Sequence, residues 1–263
     1  MAIIATTTAG KGPDRPHHLL FLHGAWQAGW CWDEEFVGHF SARGWTCHTM
    51  DLRHHGASGG PGSLRRTRIR DYVTDLARVA GGLEHPPILI AHSMGGLIAQ
   101  RYLEEHDLPG CVLLAPIPIG GVWRTTLRVL GRHPLKFLQA NAVLDLKPLV
   151  DTPRMARDLL FDPAIDESDL ERYVARLQGE SYLAFLDMLF VTRPRPPLVH
   201  TAVAFVIGDR DHLFTVRDIT RTARAYGVEP TVIPDAGHQL MMGPRWRQSA
   251  DAVAAALTTF SAH

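Results

Sequence analysis

The chain has 263 residues, of which 46% are hydrophobic, and 27 Lys and Arg stand against 27 Asp and Glu. That length and apolar content suffice for one large core. The balanced charge removes any bulk electrostatic case for nucleic acid or an anionic membrane and favours a small neutral partner. Residues 1–16 hold two isoleucines among threonines, glycines and charges, too short an apolar stretch for a signal peptide or a membrane span, which points to a cytoplasmic protein.

The first predicted strand, residues 18–22, ends in the glycine turn His23-Gly24-Ala25-Trp26. A helical pattern over 32–42 follows, then a strand over 46–50 and the loop Asp51-Leu52-Arg53-His54-His55-Gly56-Ala57-Ser58. A helix over 69–83 leads to a short buried strand at 88–91, and helix resumes over 95–105. The next strand is predicted at 111–114. From about Gly120 to Pro197 the alternation gives way to helical patterns at 153–161, 168–177 and 181–191, and Arg193-Pro194-Arg195-Pro196-Pro197 marks the return to the core. A strand over 203–207 closes on Gly208-Asp209-Arg210-Asp211-His212, and a helix covers 216–226. The last strand, 229–233, closes on Asp235-Ala236-Gly237-His238 before a helix over 245–260. Strand alternating with helix predicts an α/β fold, a mostly parallel central sheet with helices on both faces.

Ala91-His92-Ser93-Met94-Gly95 carries the strongest chemical signal, because it sets one serine between small residues directly after a strand and directly before a helix. A serine on so sharp a turn presents its hydroxyl in the open, above a helix N-terminus that favours developing negative charge. Serine is a weak nucleophile at neutral pH and needs a base within hydrogen-bond reach, for which His238 is the candidate. Asp211 is the candidate acid that would orient the imidazole, with Asp209 as its rival and Asp235 read as a turn residue.

The G-x-S-x-G-like elbow, with Ala91 for the first glycine, and the order Ser, Asp, His resemble the α/β-hydrolase superfamily. The resemblance spans nearly the whole chain. It implies an oxyanion hole from the backbone N–H groups of Ala25 and Met94, and a helical cap, residues 120–197, inserted after the sixth strand of a core made of 1–119 and 198–263. It also favours Asp211 over Asp209, since the family's acid usually lies three residues past the glycine that ends the strand. The stretch 23–32, H-G-A-W-Q-A-G-W-C-W, is similar to plant methylesterases and hydroxynitrile lyases and to many bacterial esterases. Gln239 stands where such lyases place a lysine, which disfavours cyanide chemistry, and a serine nucleophile disfavours epoxide hydrolases and haloalkane dehalogenases. The loop 51–58 resembles the family's D-x-x-G-H-G-x-S, with His54 in place of the first glycine.

The implied activity is a cofactor-independent serine hydrolase, esterase- or lipase-like, acting on a small or medium apolar ester. Lactone, thioester or carbon–carbon bond hydrolysis would use the same three residues, and some members of this fold are cyclases or small-molecule receptors. Candidate substrate contacts are Trp26, His92, Trp123, Phe137, Phe161, Phe185, Met188 and Leu189, and an inward arginine among Arg124, Arg128, Arg132, Arg193 and Arg195 would clamp a carboxylate. No serine has a lysine three residues on, so an S-x-x-K mechanism is excluded. Neither H-E-x-x-H nor a closely spaced histidine and aspartate cluster occurs, so no metal is expected and the fifteen histidines read as solvated loop residues by default. Cys31, Cys47 and Cys111 are expected as buried free thiols.

Overall fold

The computed structural model describes residues 2–12 and 15–260; the remaining positions, which include the ends of the N-terminal stretch and of the core span expected above, lie outside the described residues. Seven strands form one sheet: β1 (Ala5–Thr8), β2 (Leu19–Leu22), β3 (Cys47–Met50), β4 (Ile88–His92), β5 (Cys111–Leu114), β6 (Val203–Gly208) and β7 (Thr231–Ile233). Their spatial order is β1-β3-β2-β4-β5-β6-β7, with β1 antiparallel to β3 and every other pair parallel. β2, β3, β4 and β5 are buried along their whole length. A parallel strand covered on both faces reads as a continuous apolar run, which is how β2, β5 and β4 up to His92 read in the sequence, whereas β3 buries His48 and Thr49 as well.

The expected helix over 32–42 is two pieces, α1 (Trp30–Asp33) and α2 (Phe36–Ser41). The break falls at Glu34, whose carboxylate is turned out to Arg172 and Arg176 at 2.5 and 2.7 Å. Trp32, Phe36 and Phe40 pack in sequence around Phe21 of β2, with the Trp32 and Phe21 ring centres 5.1 Å apart. α3 (Ile69–Gly81) packs on α4 (Met94–Tyr102). α10 (Val216–Ala225) lies against β6, and α11 (Trp246–Phe260) against β6, β7 and α2.

Between β5 and β6 the chain makes a helical excursion: α5 (Trp123–Arg132), α6 (Pro134–Val143), α7 (Pro153–Leu159), α8 (Glu167–Val174) and α9 (Tyr182–Leu186), the last running into a π-helical turn at Asp187–Val191. Counted along this sheet, the excursion follows the fifth strand and not the sixth, because only β1 precedes the parallel run. β1 itself was not predicted, since Ala5–Thr8 is exposed throughout and carries no buried face to pattern it. Among the described residues no helix is long and apolar enough to cross a membrane.

Candidate active site

Ser93 sits between the end of β4 and the start of α4 with φ 53° and ψ −116°, a conformation that a non-glycine residue keeps only when its surroundings enforce it. They do so through the backbone: its N–H donates to the Leu114 carbonyl at 3.0 Å, and its carbonyl accepts from Ile117 at 3.2 Å and Leu97 at 3.3 Å. Small neighbours are needed for the same approach. A Cβ on Gly95 would lie 2.5 Å from the His23 carbonyl oxygen, and one on Gly96 would lie 2.6 Å from Pro116 Cβ.

His238, in the loop after β7, places Nε2 2.9 Å from Ser93 Oγ and Nδ1 2.7 Å from Asp211 Oδ2. A carboxylate only accepts, so Nδ1 carries the proton and the Nε2 lone pair faces the serine hydroxyl. The other Asp211 oxygen accepts from the N–H groups of Leu213 at 2.7 Å and Phe214 at 2.9 Å, which locks the carboxylate. Asp209 is elsewhere: its carboxylate accepts from the Asp235 N–H at 2.7 Å and holds Asp235 at φ 56°. His92 lies behind the base, donating from Nε2 to the His238 carbonyl at 3.0 Å. Burial, reinforced by the neighbouring His238, keeps the His92 imidazole well below its usual range and therefore neutral.

The turn after β2 comes so close that a Cβ on Gly24 would lie 2.9 Å from Ser93 Cβ. Among the described residues, the N–H groups of Ala25 and Met94 donate to no protein acceptor, and both residues line the same cavity as Ser93. Trp26 is left-handed at φ 65°. Its N–H donates to Glu180 Oε2 at 3.3 Å and its carbonyl accepts from Gln178 N–H at 2.9 Å.

The cavity above Ser93 is narrow, ≈ 70 Å³, and almost wholly apolar. Of the expected contacts, Trp26, Phe137, Phe185 and Met188 line it; His92, Trp123, Phe161 and Leu189 do not. Phe161 stacks on Tyr173 with ring centres 5.6 Å apart, Trp123 is 43% exposed under the Arg124 guanidinium, and Leu189 packs at the margin of the core. The wall that sequence reasoning missed comes from Thr125, Thr126 and Val129 on α5, from Leu146, Leu149 and Leu159, and from Leu213 and Phe214. Leu213-Phe214 directly follows Asp211 by two residues, a proximity that could have flagged it. Both threonine hydroxyls are already engaged, Thr125 with the Leu213 carbonyl at 2.6 Å and Thr126 with the Val122 carbonyl at 2.9 Å.

None of the five candidate arginines lines the cavity. Arg128 is held by the Leu213 carbonyl, Arg132 faces Asp158 at 3.6 Å, Arg195 pairs with Glu104 at 2.8 Å, and Arg193 caps the carbonyls of Met188, Leu189 and Thr192. The default reading of histidines as solvated is corrected: His18, His23, His39, His48, His55, His92 and His238 are all buried. His39 is buried on α2 against Trp246 of α11 and the others lie in or beside the sheet's strands, and local sequence carries no sign of that crowding. His23 accepts from the Leu52 N–H at 3.0 Å, and burial, with His55 adding to it, pushes its imidazole down to about 3. The three cysteines are buried and free.

The fold is shared with solved structures. A monoacylglycerol lipase of Paleococcus ferrophilus has a TM-score of 0.72 at 19% identity, covering 99% of both chains. An esterase of Exiguobacterium antarcticum has a TM-score of 0.73 at 16% identity, covering 97% of this chain and 95% of that one. At those identities the likeness is one of fold. In sequence, a pyrethroid hydrolase of Sphingobium wenxiniae is 31% identical over 88 residues, 34% of this chain and 31% of that protein's length. The sequence profile described as the alpha/beta hydrolase family matches residues 19–256, and that span runs from the first residue of β2 into α11, past Ser93, Asp211 and His238. With the parallel sheet and the strand-to-helix serine both in place within it, the chain belongs to the alpha/beta hydrolase family.

Proposed function

We propose that this member of a hydrolase family cleaves a small or medium apolar carboxylic ester through an acyl-enzyme on Ser93. The observation that carries the reading is the hydrogen-bonded chain from Ser93 through His238 to Asp211 beneath an apolar cavity. Ser93 Oγ attacks the ester carbonyl carbon while its proton passes to His238 Nε2. Asp211 stabilises the resulting imidazolium. The carbonyl oxygen, now negative, is met by the N–H groups of Ala25 and Met94, donors fixed before the reaction begins. The tetrahedral adduct collapses, the alkoxide takes the proton from Nε2 and leaves as alcohol, and water then attacks the acyl-enzyme by the same route in reverse. Residues 120–197 act as a cap on a core of 1–119 and 198–263.

Support for a neutral, apolar substrate comes from the cavity wall, whose threonine hydroxyls are engaged and which, among the described residues, holds no charged group. At ≈ 70 Å³ the space is well below the ~300–1,000 Å³ of drug-sized ligand sites, so longer esters require the cap helices to give way. The test is a panel of p-nitrophenyl esters of increasing acyl length, with lactones and thioesters, against the protein and Ser93→Ala. Ser93→Ala should lower ester turnover by roughly a million-fold. Each added methylene should improve kcat/KM by up to about 0.8 kcal/mol until the cavity fills. Retention of more than a few per cent of activity in Ser93→Ala would remove the nucleophile, and preference for carboxylated esters would remove the apolar pocket.

A further inference from the structure

Glu180, in the excursion between α8 and α9, is a fully buried carboxylate. Its Oε1 accepts from the Tyr72 hydroxyl at 3.1 Å and the Ser181 N–H at 2.7 Å. Its Oε2 accepts from His55 Nε2 at 3.1 Å and the Trp26 N–H at 3.3 Å. The other ring nitrogen of His55, Nδ1, lies 3.0 Å from the Arg53 carbonyl. A carbonyl and a carboxylate are both acceptors only, so both His55 nitrogens carry protons and the pair is Glu180⁻ with His55⁺. Burial opposes that charge on His55, but Glu180, by attraction and by hydrogen bond, outweighs it and holds the imidazole above its usual range.

A buried ion pair is weak evidence for stability, since a well-packed apolar pair of the same volume serves the core as well. Its position is more telling. Trp26 directly follows Ala25, whose N–H is one of the two oxyanion donors in the reading above, and Trp26 sits in a left-handed conformation that a bulky residue does not adopt unaided. Gln178 and Glu180 grip Trp26 from both sides, one at its carbonyl and one at its N–H. The Gln178 side chain also ties the excursion to the loop 51–58, through the His54 carbonyl at 3.0 Å and the Gly56 N–H at 2.9 Å.

We propose that Glu180 is a positioning residue for the reaction: by fixing Trp26 it sets the direction of the Ala25 N–H, so that the helical excursion completes the oxyanion site. The inference rests on the Ser93 reading. Glu180→Gln leaves one acceptor oxygen for four donors and no charge to hold His55⁺, so whichever way the amide turns Trp26 loses its carboxylate partner, whereas Tyr72→Phe removes a hydrogen bond at Oε1 and leaves Trp26 held.

The experiment compares the protein, Glu180→Gln and Tyr72→Phe on one p-nitrophenyl ester, with a trifluoromethyl ketone as a mimic of the tetrahedral adduct. A fluorophosphonate label on Ser93 of the unaltered protein comes first. Glu180→Gln should lose roughly tenfold to hundredfold in kcat, with ketone affinity falling in step, because a misaimed donor forfeits part of what a missing one does. KM should move by less than about twofold, since the oxyanion forms only after binding. Tyr72→Phe should melt at a lower temperature while keeping kcat within about threefold. An unchanged kcat in Glu180→Gln, a loss carried by KM alone, or an equal fall in Tyr72→Phe overturns the proposal. If Glu180→Gln does not fold, hydrogen exchange of the Trp26 amide in the unaltered protein decides: protection like that of the central strands supports the clamp, and exchange at open-loop rates overturns it. An unlabelled, inactive protein overturns the Ser93 reading and this inference together; a labelled, active one with an indifferent Glu180→Gln overturns the inference alone.

Discussion

His92 donates from Nε2 to the backbone carbonyl of His238 at 3.0 Å, so the residue preceding the candidate nucleophile holds the loop that carries the candidate base. The two rings lie 4.7 Å apart, and the contact joins the ends of β4 and β7 across the intervening strands. His92→Ala should therefore destabilise the fold by about 1–3 kcal/mol from the stranded His238 carbonyl alone, and loosen the Ser93–His238 geometry. Urea unfolding and kcat measured together check this; a stable variant with full kcat would show that the contact is incidental.

Acid should unfold the protein early. Burial pushes His23 down to about 3 and, with His18 adding to it, His48 down to about 4, and it keeps His92 well below the usual imidazole range. In the unfolded chain these residues take up protons near pH 6.5, so between about pH 6.5 and 3 the unfolded state binds more protons and stability falls as pH falls. His55 has the opposite sign, because its value is raised: its contribution is complete below pH 6.5 and is lost as pH rises through the folded value. Four depressed histidines, His39 being lowered by burial as well, against one raised give a net loss on the acid side, on the order of a few kcal/mol. Thermal melts at pH 7, 6, 5 and 4 should show a falling Tm, and a flat profile would mean that these rings are not buried and neutral.

The identity of the acid has a direct test. Asp211→Asn should cost on the order of ten-thousand-fold in turnover by favouring the wrong tautomer of His238. Asp209→Asn should leave turnover within a few-fold, because Asp209 serves the turn at Asp235 and does not reach the imidazole. Kinetics on the two purified variants showing the reverse order would assign the role to Asp209.

Gly56 and His54 make a contrasting pair in the loop that follows β3. Both are left-handed, at φ 53° and φ 63°. A Cβ on Gly56 would fall 2.3 Å from Asp51 Oδ2, the carboxylate that accepts from the N–H groups of Gly29 at 2.7 Å and Ala57 at 2.8 Å. Gly56→Ala should accordingly destabilise by more than about 2 kcal/mol, from backbone strain and a broken carboxylate cradle together. His54→Gly should stay within about 1 kcal/mol of the unaltered protein, since relief of the left-handed strain offsets the added freedom of the unfolded chain. Chemical denaturation of both variants distinguishes them.

The loop 51–58 also illustrates how far the sequence could be read. His54 stands where the D-x-x-G-H-G-x-S pattern that the loop resembles has its first glycine, and the structure gives it the backbone conformation that glycine would take freely. The same holds for Ser93, Asp211 and His238: each ends a strand in a turn, and strand, turn and residue type are all local properties of the chain. Burial is not local. Nothing near His55 in the sequence announces Glu180, 125 residues away, and nothing distinguishes Phe161, which stacks on Tyr173, from Phe185, which lines the cavity. β1 escaped for a related reason, since an exposed edge strand has no apolar alternation to give it away.

Ser93, Asp211 and His238 come from three separate strand ends, whereas most of the wall around them comes from one unbroken stretch, Val122 to Met188. On the proposed reading, the reacting groups and the wall that selects the substrate are thus encoded in different parts of the chain. Mutations, or a recombination event, confined to residues 120–197 can redraw the range of accepted molecules while the reacting groups stay where they are. Gln178 and Glu180 are the positions such an exchange should carry over unchanged, because both hold Trp26, the neighbour of the proposed oxyanion donor Ala25.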